Sequence, residues 1–320
     1  MKNKDRRTGS FILDSLKIVI SISSLLLFSN CSHSIPFEEE APQNSTYAYS
    51  ENVRINYETI GHGNKNVVFL HGFGASLHTW DDIKDLFPQD EYKLYLIDLK
   101  GFGNSSKPED DNYTIEEQAK IVRLLINDIN ADSLYLIGHS YGGAVALLTQ
   151  ISFLDGRDRK RITKLILIDG LAYMQELPVF IDYLRTPVVN KSTFLLPKKF
   201  RAEYILDKIF YDKTIINDRL INRYASFFDG DNIDYSFTTS AAQIYPIGYE
   251  NIIDTYKNIP TSCLVIWGRN DLVIPLENGI RLSRDLPNAK FEIIEECGHA
   301  PQEEKPEITF KMIISFIKGE

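Results

Sequence analysis

This chain is poor in several features that would mark a function at once. Its 35 lysines and arginines are outnumbered by 44 acidic residues, for a net charge of −9. No basic patch or stripe is visible, which argues against a nucleic-acid partner. The acidic surface aids solubility and says little about substrate. There is no internal repeat, and so no sign of a solenoid or propeller. No run reaches the roughly 20 apolar residues that span a bilayer comfortably. Cysteines number three and histidines six, so candidates for thiol or imidazole chemistry are few. What remains is 320 residues, 43% hydrophobic and 25% charged, which suits one large globular domain or a domain with an insertion. A core of that size is stable without staples.

The first 30 residues differ from the rest. Lys2, Lys4, Arg6 and Arg7 precede an apolar stretch over about 16–28, and a small polar boundary leads to Cys31. A basic start, a short apolar middle and a small-residue boundary describe an export signal. Cys31 resembles the lipid-modified cysteine of bacterial lipoproteins, although Phe28, Ser29 and Asn30 depart from the usual preceding residues. An ordinary cleaved signal and an uncleaved membrane anchor are the alternatives. The expectation is a signal over 1–30, a solvated tether over 31–45, and an exported, membrane-anchored lipoprotein of a bacterial cell envelope.

From residue 46 the chain alternates. Two short alternating runs, 47–49 and 53–57, predict a hairpin. Apolar runs at 66–70, 92–99, 133–138, 164–168, 262–267 and 290–294 predict strands, most of them buried and parallel. Helical periodicity is expected at 77–87, 114–130, 141–154, 276–285 and 303–318. This order predicts an α/β fold, a mostly parallel sheet with helices on both faces. Core segments are expected at 46–170 and 259–320. Between them, 171–258 carries Phe and Tyr at helical spacing and no buried strand, so it reads as an inserted helical lid. Most of its aromatics should pack the insertion; a minority should line an apolar cleft. On this assignment Cys263 lies near the start of one strand and Cys297 past the end of its neighbour. That separation exceeds disulfide reach and predicts two free thiols.

The run Gly138-His139-Ser140-Tyr141-Gly142-Gly143 satisfies G-x-S-x-G between a predicted strand and a predicted helix. This is the setting of a nucleophile elbow. A serine hydroxyl needs a base within hydrogen-bond reach, and the base needs an orienting acid. Sites in parallel sheets lie at the carboxyl ends of strands. Among the histidines only His299 follows Ser140, just beyond the strand at 290–294. Asp271 follows the strand at 262–267 and gives the order Ser, Asp, His. Asp169, at the end of the preceding strand, is the rival acid. Candidate oxyanion donors are the backbone N–H groups of Tyr141 and Phe73, the latter in His71-Gly72-Phe73-Gly74. His71 suggests a structural hydrogen bond, and Asp98 a tie to the glycine-rich turn that follows it.

His71–Gly74, the run from Asp98 to Ser105, Gly138–Gly143, Trp267–Asp271 and Gly298-His299-Ala300-Pro301 resemble, in order and spacing, the motifs of the α/β-hydrolase superfamily. The likeness covers about 46–318, including the place of the lid. It implies hydrolysis of a small-molecule substrate through an acyl-serine, without metal or organic cofactor. Similar members include carboxylesterases, monoglyceride lipases, lactonases, carbon–carbon bond hydrolases and iminopeptidases. Haloalkane dehalogenases and epoxide hydrolases use an aspartate nucleophile, where this chain has Ser140. Tyr141 departs from the tryptophan usual in iminopeptidases. The expectation is a carboxylic ester with a small to medium apolar group. A non-catalytic binding protein on the same scaffold and an acyl transferase are the rivals.

Overall fold

The computed structural model describes residues 45–129, 131, 134–154, 161–245 and 248–320. The expected signal, Cys31 and all of the tether but Ser45 lie outside the described residues.

Among the described residues eight strands form one sheet, in the order β1-β2-β4-β3-β5-β6-β7-β8. β1 (Ser45–Ser50) and β2 (Val53–Ile60) make the hairpin, and β2 runs antiparallel to β4 (Tyr92–Ile97). The other strands, β3 (Lys65–Leu70), β5 (Leu134–His139), β6 (Ile162–Ile168), β7 (Ser262–Gly268) and β8 (Ala289–Ile294), are parallel to their neighbours. Side chains alternate between the faces, as the period of two requires. Val68, Leu70, Leu136, Leu165, Leu167, Val265 and Trp267 enter one core. Val67, Phe69, Ile137, Ile166, Ile168, Leu264 and Ile266 enter the other. The chain steps from β3 to β4 on one side and to β5 on the other. That reversal brings the 71–75 loop and Ser140 together at the carboxyl ends of β3 and β5, the edge where sites in parallel sheets lie.

The helices behave largely as their patterns dictate. A short α1 (Asp81–Lys84) follows a 3₁₀ turn at Leu77–Trp80. The expected 77–87 helix is thus a 3₁₀ turn and one α-helical turn, and Pro88 keeps Phe87 from extending it. In α2 (Ile115–Asp128) Thr114 caps Glu117 N–H at 3.2 Å, and Ile115, Ala119, Val122 and Ile126 form the buried stripe. α3 (Tyr141–Leu154) springs directly from β5.

Between β6 and β7 come α4 (Val179–Arg185), α5 (Val189–Leu195), α6 (Lys198–Ile209), α7 (Asp218–Ser226), α8 (Ile233–Ala242) and α9 (Tyr249–Ile253), with no strand among the described residues there. A third apolar cluster joins this insertion to the core, including Ala202, Leu206, Phe210 and Phe227 beside Ala75 and Ala300.

After α10 (Leu276–Asp285) the expected terminal helix is two, α11 (Pro301–Glu304) and α12 (Pro306–Lys318). Pro306 supplies no N–H, and Lys305 before it leaves the helical region at φ −134°, ψ 58°, so the helix restarts. Cys263 and Cys297 are free and buried. Burial pushes the Cys263 thiol up to about 12, the behaviour of a packing residue.

Candidate active site

The turn after β5 is constrained from every side. Ser140 has φ +53°, a left-handed conformation that costs energy in a non-glycine residue. Its N–H donates to Ile168 O at 3.0 Å, and its carbonyl accepts from Gly143 and Leu171 N–H at 2.8 Å each. Two glycines make the turn possible: a Cβ on Gly138 would lie 2.4 Å from Gly142 O, and one on Gly142 would lie 2.4 Å from Leu70 O. The strained serine is therefore held by its surroundings, with its side chain partly exposed above the sheet.

The structure brings Ser140, His299 and Asp271 together. Ser140 Oγ lies 2.8 Å from His299 Nε2, and His299 Nδ1 lies 2.7 Å from Asp271 Oδ2. The ionised carboxylate can only accept, so Nδ1 carries the proton and Nε2 is left to accept from the serine hydroxyl. Asp271 Oδ1 accepts from Val273 N–H at 2.7 Å and Ile274 N–H at 3.0 Å, which fixes the carboxylate.

Asp169 lies behind this trio. One ligand-type atom each from Asp169, Asp271 and His299 fall within 4.8 Å of one another. These residues could offer a metal three ligands, but both ring nitrogens of His299 are already engaged. Asp169 Oδ1 accepts from Gly268 N–H at 2.9 Å. Burial, and next the Asp271 charge, push its carboxyl well above the usual range. The rival acid is thus a neighbour of Asp271 that favours its neutral form.

The loop after β3 reaches Ser140: a Cβ on Gly72 would sit 3.2 Å from Ser140 Cβ. The Phe73 and Tyr141 rings meet edge-on at 6.0 Å. His71 Nδ1–H donates to Gly72 O at 2.7 Å, and its Nε2 accepts from Leu99 N–H at 3.0 Å. It pins the loop to the next turn, and burial lowers its pKa. Asp98 holds that turn through Asn104 N–H at 2.8 Å and also grips Leu77 N–H and the Asn56 amide.

Three supports were not visible in the sequence. His139 Nε2–H donates to His299 O at 2.7 Å. Burial, then the neighbouring His299, lower the His139 pKa to about 3, so it stays a neutral donor. The insertion grips the same segment: His299 N–H donates to Ile209 O at 2.6 Å, and the Glu304 carboxylate accepts from Gly298, Tyr211 and Asp212 N–H at 2.7, 3.0 and 2.7 Å. Arg223 of α7 pairs with Asp82 at 2.7 Å and Glu303 at 3.0 Å, while the Tyr224 hydroxyl donates to Glu303 Oε1 at 2.8 Å. Polar residues beside a proline give no sequence signal of such long-range pairing.

Burial pushes the Glu303 carboxyl up to about 7, against the pull of Arg223. Arg223 moves the other way: burial would lower its pKa, and Glu303 and Asp82 more than reverse this. A guanidinium stays charged in proteins, so Glu303 is the member that titrates. An acid whose pKa rises on folding contributes most stability below its unfolded value of about 4.3, and that contribution is lost as pH rises through about 7. Glu303→Gln should therefore gain in Tm relative to the parent as pH is raised from about 5 to about 8. Thermal melts across that window check this; a pH-independent difference would contradict it.

The alpha/beta hydrolase fold family matches residues 65–306. The chain is 26% identical over 272 residues to a 2-hydroxy-6-oxononadienedioate/2-hydroxy-6-oxononatrienedioate hydrolase of Paraburkholderia phymatum, covering 83% of this chain and 91% of that one. A meta-cleavage product hydrolase from Pseudomonas fluorescens superposes with a TM-score of 0.69 at 21% identity, over 83% of this chain and 95% of its own. A thermophilic esterase from Thermogutta terrifontis gives 0.71 at 23%, over 87% and 98%. The chain is a member of the alpha/beta hydrolase family.

Proposed function

We propose that this hydrolase cleaves a carboxylic ester with a small to medium apolar acyl group through an acyl-serine intermediate. The observation that carries the reading is the continuous hydrogen-bonded path from Asp271 through His299 to Ser140 Oγ. Ser140 attacks the ester carbonyl as His299 Nε2 takes its proton. Asp271 holds the imidazole in the reactive tautomer and stabilises the cation that forms. The Phe73 and Tyr141 amides hold the oxyanion, each such donor contributing about 3 kcal/mol to the transition state. His299 then protonates the leaving alcohol and activates the water that cleaves the acyl-enzyme. The apolar preference is supported by Phe237, whose ring lies 6.0 Å from Phe73 and 5.5 Å from Phe102. With neutral nitrophenyl esters, kcat/KM should rise by up to about 15-fold per two carbons from acetate to about hexanoate, since each buried CH₂ is worth about 0.8 kcal/mol. A flat series, or cleavage of peptides instead, would refute the apolar acyl site.

A second reading is carbon–carbon bond hydrolysis, which uses the same serine. It is favoured by the name of the Paraburkholderia phymatum relative. It predicts turnover of a vinylogous diketone acid with no ester hydrolysis. We further propose that residues 1–30 export the chain and that Cys31 accepts lipid. In that case Cys31→Ser should abolish incorporation of labelled palmitate, and incorporation that persists would refute the lipid site.

A further inference from the structure

Arg201 is a buried cation that finds no counter-ion among the described residues. It sits on α6, only 7% exposed, and among the described residues its Nε and Nη1 have no hydrogen-bond partner. No carboxylate pairs with it among the described residues. Its guanidinium instead lies over the Phe228 ring at 4.2 Å and the Phe194 ring at 5.3 Å. Aromatic faces offset only part of the cost of removing a charge from water. Both rings pack on Phe237, at 5.7 and 6.3 Å. Phe237 in turn covers the loop beside the nucleophile: a Cβ on Gly74 would meet it at 3.3 Å. The next residue along α6, Ala202, belongs to the cluster that contains Ala75. The guanidinium therefore packs on the ring cluster that reaches, through Phe237, the loop beside Ser140.

Its helix strengthens the case. Side chains tilt toward a helix N-terminus, and Arg201 is in the first turns of α6. That end has no side-chain cap and no acidic residue in its first turn, so its free N–H groups add positive potential on the same side.

We propose that Arg201 anchors a carboxylate on the substrate, so that the preferred substrate is an apolar chain with the scissile carbonyl at Ser140 and an acid group at its far end. This rests on the acyl-serine reading and replaces a wholly apolar acyl group with one that ends in an anion. The unpartnered Nε–H or Nη1–H would donate to the carboxylate, and Phe194, Phe228 and Phe237 would flank the chain.

The test compares mono-4-nitrophenyl succinate, glutarate and adipate with the neutral 4-nitrophenyl esters of matched length. In the parent enzyme, at least one half-ester should have a lower KM than its neutral counterpart. Arg201→Met keeps the bulk against the two rings and removes the charge. It should lower the ratio of half-ester to neutral-ester kcat/KM by about 30-fold or more, through KM, with Arg201→Lys recovering part of the ratio. An unchanged ratio overturns the proposal, because damage to packing alone moves both substrates together. A second arm titrates Ser140→Ala with glutarate and adipate by calorimetry. Binding that disappears in Ser140→Ala/Arg201→Met supports the anion site even if no ester is ever cleaved, in which case the ester reading alone fails. No binding and no half-ester preference in an active enzyme overturns the anion site and leaves the ester reading intact.

Discussion

Ser140→Ala should lower kcat/KM for any nitrophenyl ester that the parent hydrolyses by about 10⁴- to 10⁶-fold, with the fold retained. The Ser140 side chain makes one hydrogen bond, to His299, whereas its backbone carries the three bonds that hold the turn. Alanine keeps the backbone and deletes only the oxygen that attacks. On the proposed mechanism the Phe73 and Tyr141 amides are untouched, so residual catalysis above that of water is expected. Unchanged melting with a loss of less than about tenfold would mean that another group is the nucleophile.

Asp271→Asn should cost about 10³- to 10⁴-fold in kcat, because an amide in this position favours the wrong imidazole tautomer. Asp169 lies close to this pair. Its carboxyl is held toward the neutral form by burial first and by Asp271 second. Deleting the Asp271 charge removes the second cause, so Asp169 should ionise more readily in the variant than in the parent. The surviving activity of Asp271→Asn is then expected to climb with pH, as an ionised Asp169 begins to favour the His299 cation from within about 5 Å. Asp169→Asn placed on top should remove that climb. Kinetics of the two variants from about pH 6 to about pH 9 decide it; identical profiles would show that Asp169 is too far from the imidazole to matter.

The parts of the molecule legible in the sequence are those encoded locally. β3, β5, β6 and β7 are short apolar runs bounded by turns, and the burial of both sheet faces explains why they lack alternation. The elbow was legible because its glycines and its serine lie within six residues. His299 and Asp271 could be found because parallel strands deliver their carboxyl ends to one edge. Misreadings came from proline: Pro88 cuts the helix at 77–87 short, and Pro306 divides the terminal one. The supports of His299 were hidden for a different reason. Glu303 and Glu304 look like a solvated acidic pair, yet one meets Arg223 and Tyr224 and the other three amides, two of them about 90 residues away. Arg201 was equally silent, since a lone arginine on a polar helix is ordinarily a surface residue.

The central claim is that substrate becomes covalently attached to one oxygen. Acid quench of the enzyme during turnover of a slowly deacylated ester, followed by mass spectrometry of its peptides, observes this directly. One adduct of the acyl mass should form on Ser140 in the parent and be missing in Ser140→Ala. Steady turnover with no adduct, or an adduct on another residue that persists in Ser140→Ala, would contradict it.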